Sequence, residues 1–355
     1  MNESIKTNSV YTGIDLFKLI GSILIIILHV IETTNYYVVE LKVVFTYFVV
    51  PFFFIASGFF FHKGLSRSCE KSIYFKKYIK NILFLFLIWA LLIYSPFVIH
   101  SYITQNPNES TLKILLLLFR RIFVIGPGVY WYLIALLYSA IFLYFCHIKK
   151  NDKLIIFAMI LGFLLQFSYV CFKGVLSQIS IFNLLFKAIY FVFSWENNFL
   201  MYGIPFMGLG YFISKKDITL KPLTSTVILI ISTLFSFIEY NLPKLIPHPF
   251  WNENKFFFAF IFQAFSFFLL AKSLTLKISK PTSLLMRQLS SFIYFSHFII
   301  LCNIMNPILD RFTSLPTYAP IMILPKTIVV FLICSSLFFL IKKINNKYLN
   351  YLLNG

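Results

Sequence analysis

The chain has 355 residues, of which 59% are hydrophobic, 20% aromatic and only 12% charged, about half the charged share of an ordinary soluble domain. That balance excludes a soluble core, because the 46 phenylalanines fall largely in apolar runs long enough to cross about 30 Å of hydrocarbon. A formal charge of +19 would suit a nucleic-acid partner only if it gathered on one polar face, whereas here the lysines and arginines sit in short patches between apolar runs.

Apolar length predicts an all-α, polytopic membrane protein with about ten transmembrane helices. In chain order they are Leu16–Thr34, Leu41–Phe61, Ile79–His100, Tyr130–His147, Leu154–Phe172, Asn198–Ile213, Thr224–Tyr240, Phe256–Lys272, Leu289–Leu309 and Ala319–Ile341. The run from Leu19 to Ile31 is followed by no small-residue cleavage site, so it reads as a retained helix. Loop charges supply an independent test of the count. Lys63, Arg67, Lys71, Lys76, Lys77 and Lys80 follow the second span. Alternate gaps then hold Lys149, Lys150 and Lys153, next Lys215, Lys216 and Lys221, next Lys277, Lys280 and Arg287, and the tail holds Lys342, Lys343 and Lys347. The intervening gaps are poorer in Lys and Arg, which places both termini in the cytoplasm; the expected location is a cell membrane, by preference the bacterial cytoplasmic membrane. Thr111–Ile125 and Leu176–Asn198 are long enough for interfacial or re-entrant helices. No repeat or soluble module stands out, so one membrane domain is expected over 1–355.

The first span, "GIDLFKLIGSILIIILHVIE" from Gly13, carries Asp15, Lys18, Ser22 and His29. At 100° per residue all four fall within about 60° of one another, and Lys18 and His29 are separated by three turns, roughly 16 Å of rise. Ionisable groups inside a bilayer are costly unless they face a cavity or a partner. The stripe therefore predicts a protein-lined cavity, with Lys18 near the cytoplasmic surface and His29 deeper. A cap for Asp15 and a snorkelling Lys18 explain those two equally well. His29 points further toward chemistry, since a neutral imidazole is suited to moving a proton near neutral pH.

Further along, Ser57 and Gly58 in "VVPFFFIASGFFFHKG" suit close helix packing. Lys77 and Lys80 in "YFKKYIKNI" suit anionic headgroups or the phosphates of a cofactor. "SWENN" brings Trp195 and Glu196 to an external helix end, where a solvated acid or a substrate contact both fit. His297 in "IYFSHFII" reads as a structural histidine. Cys69, Cys146, Cys171, Cys302 and Cys334 read as small apolar fillers. No phosphate loop, zinc helix or nucleophile elbow is present, so no metal is expected.

Taken together, these segments resemble acyltransferase family 3, a family of integral membrane acyltransferases, over essentially the whole chain. Asp15, Lys18 and His29 match the family's opening helix, and "PFFFIASGFFF", "WYLIALLYS", "YGIPFMGLGYFI" and "IYFSHFII" resemble later landmarks in the family's order. The resemblance implies an O-acyltransferase that takes an acyl group, often acetyl, from acyl-CoA (acetyl-CoA) and places it on a hydroxyl of a sugar or cell-envelope glycan. It makes His29 the base and puts Lys18 where the family usually has arginine, a change that keeps the charge but loses the planar fork. Lys18, Lys77 and Lys80 are then the candidates for donor binding, and Asp15, Glu196 and Trp195 for substrate contact. A similar opening occurs in the membrane part of vancomycin-resistance serine racemases, whose implied role is serine uptake. Transport of a small solute or glycan is accordingly the alternative, with the stripe as the path and His29 as a proton relay.

Overall fold

The computed structural model describes residues 11–31, 35–93, 110–194, 197–245, 258–312, 320–344, 346 and 350–353. They are helical with no strand among the described residues, as the bilayer demands of a chain whose backbone groups must all be paired internally. The longer helices are α1 (Thr12–Val30), α2 (Tyr36–Thr46), α3 (Val49–Arg67), α4 (Lys71–Ile93), α5 (Thr111–Arg120), α6 (Trp131–Ile148), α7 (Asp152–Cys171), α8 (Ser180–Phe193), α9 (Ile204–Lys215), α10 (Pro222–Leu245), α11 (Phe258–Ser273), α12 (Lys280–Ile300), α13 (Asn306–Phe312) and α14 (Ile323–Ile344).

Helix starts are set by short polar side chains that accept an otherwise orphaned backbone N–H. Asn35 caps α2 through Val38 N, Ser110 caps α5 through Lys113 N, and Asn151 caps α7 through Leu154 N. Ser279 caps α12 through Thr282 N and is followed by Pro281 in the first turn, a pairing that starts a helix firmly. That start lies nine residues before the Leu289 expected from apolar length, because polarity alone cannot show that a capped, basic turn is helical. The earlier start takes Arg287 out of the loop in which its charge was counted.

Among the described residues, seven segments are long and apolar enough to cross a membrane: Thr12–Val30, Tyr36–Arg67, Gly128–Ile148, Asp152–Cys171, Pro222–Leu242, Lys280–Ile308 and Pro320–Ile344. The other three of the ten expected spans are not among these seven. Ile79–His100 runs past the described residues, Asn198–Ile213 is a π-helical turn (Phe199–Gly203) leading into the 12-residue α9, and Phe256–Lys272 becomes the 16-residue α11. Both long gaps do contain helices, α5 and α8. Arg120 at the end of α5 ties them together by donating to the Tyr190 and Val192 carbonyls and to Ser194 Oγ at the C-terminal end of α8.

Helix α1 packs along α12, α3 along α9 and α10 along α11. The α3–α9 approach is close enough to need glycine on both sides. A Cβ on Gly58 would overlap the Met207 carbonyl oxygen, and one on Gly210 would overlap that of Ile55. Leu223, Ile230, Ile231 and Leu234 on α10, with Leu332, Phe339 and Leu340 on α14, stay exposed. Such outward apolar faces suit lipid chains and leave the polar side chains to the interior.

Candidate functional site

The interior polar surface lies where α1 meets α12. Ser283, Arg287, Ser290, Tyr294 and His297 follow one another at spacings of four, three, four and three, which keeps them on one helix face. That face meets the stripe of α1 with both helices running the same way. Asp15 is fully buried, and Arg287 Nε and Nη2 each donate to its carboxylate at 2.9 Å while Ser283 Oγ donates at 2.5 Å. Ser290 Oγ donates to the Lys18 carbonyl at 2.7 Å. Asp15, a candidate substrate contact by sequence, thus has both oxygens engaged within the protein. Ser22 is satisfied locally, its Oγ donating to the Leu19 carbonyl.

Lys18 opens onto a cavity of about 250 Å³ lined by aromatic and aliphatic groups together with Ser57, Tyr78, Asn81, Tyr132 and Ser291. Its Nζ lies 5.3 Å from the centre of the Phe60 ring, and the Arg287 guanidinium lies 5.9 Å from the same ring, so this mouth holds two cations over one aromatic face. Lys63 of α3 lies close by, donating to the Tyr11 hydroxyl and sitting 5.4 Å from the centre of the Phe59 ring. Lys77 and Lys80 are exposed on α4 and line neither cavity, whereas Tyr78, Asn81, Ile82 and Leu85 of the same helix do.

His29 opens onto a second cavity, of about 320 Å³, lined among others by Lys42, Tyr47, Trp131, Asn197, Tyr202 and Tyr294. Neither cavity has an aspartate or glutamate among its described lining residues. Lys42 Nζ donates to the Ile31 carbonyl at 2.8 Å, which fixes the entry of α2 against the end of α1. Trp195 and Glu196 lie outside the described residues. Their neighbour Asn197 lines the cavity, and Asn198 caps the π-helical turn through Leu200 N and Met201 N.

His297 is fully buried, with its ring 5.2 Å centre to centre from that of His29. Its Nδ1 is 3.0 Å from the Ile293 carbonyl. A carbonyl only accepts, so this contact assigns the proton to Nδ1 and leaves Nε2 as an acceptor. Nε2 is buried with no hydrogen-bond partner among the described residues. The structural role read from sequence therefore describes one nitrogen, while the ring itself stands against the candidate base. Arg287 and Tyr294 were passed over in sequence, and the four-three-four-three spacing on α12 is the signal that would have found them. Among the described residues no group of three or more His, Cys, Asp or Glu could hold a metal ion.

In chemical terms the interface offers a cationic, aromatic mouth at one end, an imidazole pair at the other, and an interior otherwise free of acids among the lining residues. The model of the acyltransferase domain family, acyltransferase family 3, matches residues 11–341. Neither a curated protein nor a solved structure matches the chain.

Proposed function

Because this chain belongs to acyltransferase family 3, we propose that it moves an acyl group, acetyl by preference, from acyl-CoA to a hydroxyl of a cell-envelope glycan or related acceptor. A multi-pass membrane acyltransferase follows from the family and from the apolar helices. The observation that carries the finer reading is the placement of two cavities along one polar interface, with Lys18 in the first and His29 in the second.

In this reading the donor enters at the lysine-rich end, taken as cytoplasmic from the loop charges. Lys18 meets a phosphate or the polar arm of the donor, and Lys77 and Lys80, being exposed, serve only a nucleotide end that lies outside the cavity. The arm extends along α1 and points the thioester toward His29, which lies about 16 Å further along the helix than Lys18. His29 takes the proton of the acceptor hydroxyl as its oxygen bonds to the thioester carbonyl carbon; the carbon–sulfur bond breaks and the thiolate leaves, recovering that proton from the imidazolium. General-base help of this kind contributes roughly 10²–10⁴-fold. Trp131 and Tyr202 offer flat apolar faces to a sugar ring, with Asn197 lining the same cavity; Trp195 and Glu196 keep the acceptor role read for them from sequence, outside the described residues.

The test is transfer of labelled acetyl from acetyl-CoA to isolated envelope glycan by the purified protein in lipid vesicles. His29→Ala should remove it. Transfer undiminished in His29→Ala overturns the role given to His29, and acceptor uptake into vesicles without any donor favours transport instead.

A further inference from the structure

Tyr294 is the one residue, among the described residues, that lines both the Lys18 cavity and the His29 cavity. Its ring is held by three helices. It packs against Phe53 of α3 at 5.4 Å and 63°, and against Tyr132 of α6 at 5.1 Å and 56°, while its own helix supplies Phe295 at 5.2 Å. The Tyr132 hydroxyl lies 3.0 Å from Ser57 Oγ and 3.3 Å from the Phe53 carbonyl, which locks that part of the collar. A Cβ on Gly21 of α1 would stand 3.3 Å from the Phe53 ring. The collar therefore sits level with Gly21, between Lys18 and His29. On its far side the Tyr294 ring lies 6.2 Å from that of His297, which packs on His29.

We propose that the Tyr294 ring, set in the collar of Phe53 and Tyr132, is the partition between the donor and acceptor cavities, and that its bulk limits the acyl group that crosses to a short one. The limit on the acyl group rests on the acyl-transfer reading; the partition does not. Tyr294 acts here as a positioning residue: it holds the reacting ends at one gap and keeps water on the acceptor side from reaching the donor thioester. Small cavities discriminate chain length because each methylene either fits or does not, at about 10–200-fold per group.

The partition is tested by sided labelling that needs no catalysis. In a background with Cys69→Ser and Cys302→Ser, Ser57→Cys reports the Lys18 cavity and Leu28→Cys reports the His29 cavity. A charged, membrane-impermeant thiol reagent is added from each face of sealed vesicles in turn. With Tyr294 present, each reporter should react from one face only, and the two faces should be opposite. With Tyr294→Ala, Ser57→Cys should also react from the face that reaches Leu28→Cys, at least tenfold faster than before, whereas Tyr294→Phe and Tyr294→Trp should keep the barrier. If the alanine variant does not fold, Tyr294→Leu carries the same comparison. In transfer assays the opened variant should gain at least tenfold in kcat/KM for hexanoyl over acetyl donor, and should hydrolyse donor without acceptor.

Unchanged labelling in a folded Tyr294→Ala or Tyr294→Leu protein overturns the partition. Labelling that changes while the acyl preference does not overturns the size limit. Absence of transfer by the parent protein, with the labelling pattern as expected, counts against the acyltransferase chemistry and leaves the partition standing.

Discussion

Arg287 on α12 grips both carboxylate oxygens of Asp15 on α1, at 2.9 Å each, although 272 residues separate them along the chain. Asp15 is fully buried while the Arg287 side chain remains 41% exposed. The pair therefore fixes the register of α12 against α1, the helix that carries both Lys18 and His29, while leaving part of the arginine side chain exposed. Losing the arginine would strand a buried carboxylate with Ser283 alone. Arg287→Ala should cost about 3 kcal/mol, the low end of the range for breaking a buried pair, because one partner is solvated. Arg287→Lys should recover part of that, since an ammonium lacks the bidentate fork. Melting in detergent measures both, and a melting temperature unmoved in Arg287→Ala would remove the pair from the forces holding α1 to α12.

Lys18 shares its mouth with Arg287 over the Phe60 ring. Lys18→Ala should raise the KM for acyl-CoA with less effect on kcat, whereas Lys18→Arg should bind the donor at least as well, because a planar fork meets phosphate oxygens in pairs. Initial rates across donor concentration decide this. A fall in kcat at constant KM would assign Lys18 to the chemical step.

His297 stands behind His29 and has a single bonded nitrogen among the described contacts. His297→Asn keeps a polar group near Ile293 but removes the ring from His29. It should lower kcat by about 10–100-fold, less than His29→Ala, the range found when an orienting partner is lost. If both variants retain the fold by melting yet His297→Asn transfers at the parental rate, His297 is structural only.

Gly58 and Gly210 let α3 and α9 touch backbone to backbone. Gly58→Ala should cost about 1–3 kcal/mol, the usual penalty for overpacking, and Gly58→Leu should abolish folded protein. Retention of monodisperse, heat-stable protein in Gly58→Leu would mean the helices part without cost.

Lys272 bonds to Asp217 at 2.9 Å, and that hydrogen bond together with the lysine charge holds the Asp217 carboxyl below the usual carboxylate range. A lowered folded-state pKa adds stability above the unfolded-state value and loses it as pH falls through the folded one. Asp217 is 86% exposed, so solvent screening keeps the effect within about 0.2–1 kcal/mol. Asp217→Asn should thus melt slightly below the parent at pH 7 and coincide with it once acid has protonated the carboxylate. A gap that widens in acid would reverse the assignment.

How much of this was legible in advance differs residue by residue. Composition and apolar length determined the solvent and the class of structure, because a chain so poor in charge has no soluble alternative. Helical periodicity in α1 put Asp15, Lys18, Ser22 and His29 on one face, since that follows from 3.6 residues per turn. The ends of elements were less legible. Arg287 counted as a loop charge until Ser279 and Pro281 showed a capped helix around it, and Lys77 and Lys80 looked equivalent to Lys18 until α4 turned other side chains toward the cavity. Only the tertiary structure decided that Asp15 spends its charge on Arg287, that His29 meets His297, and that Tyr294 lines both cavities. Periodicity describes one helix at a time, whereas these relationships depend on which faces of helices far apart in sequence meet and in what register.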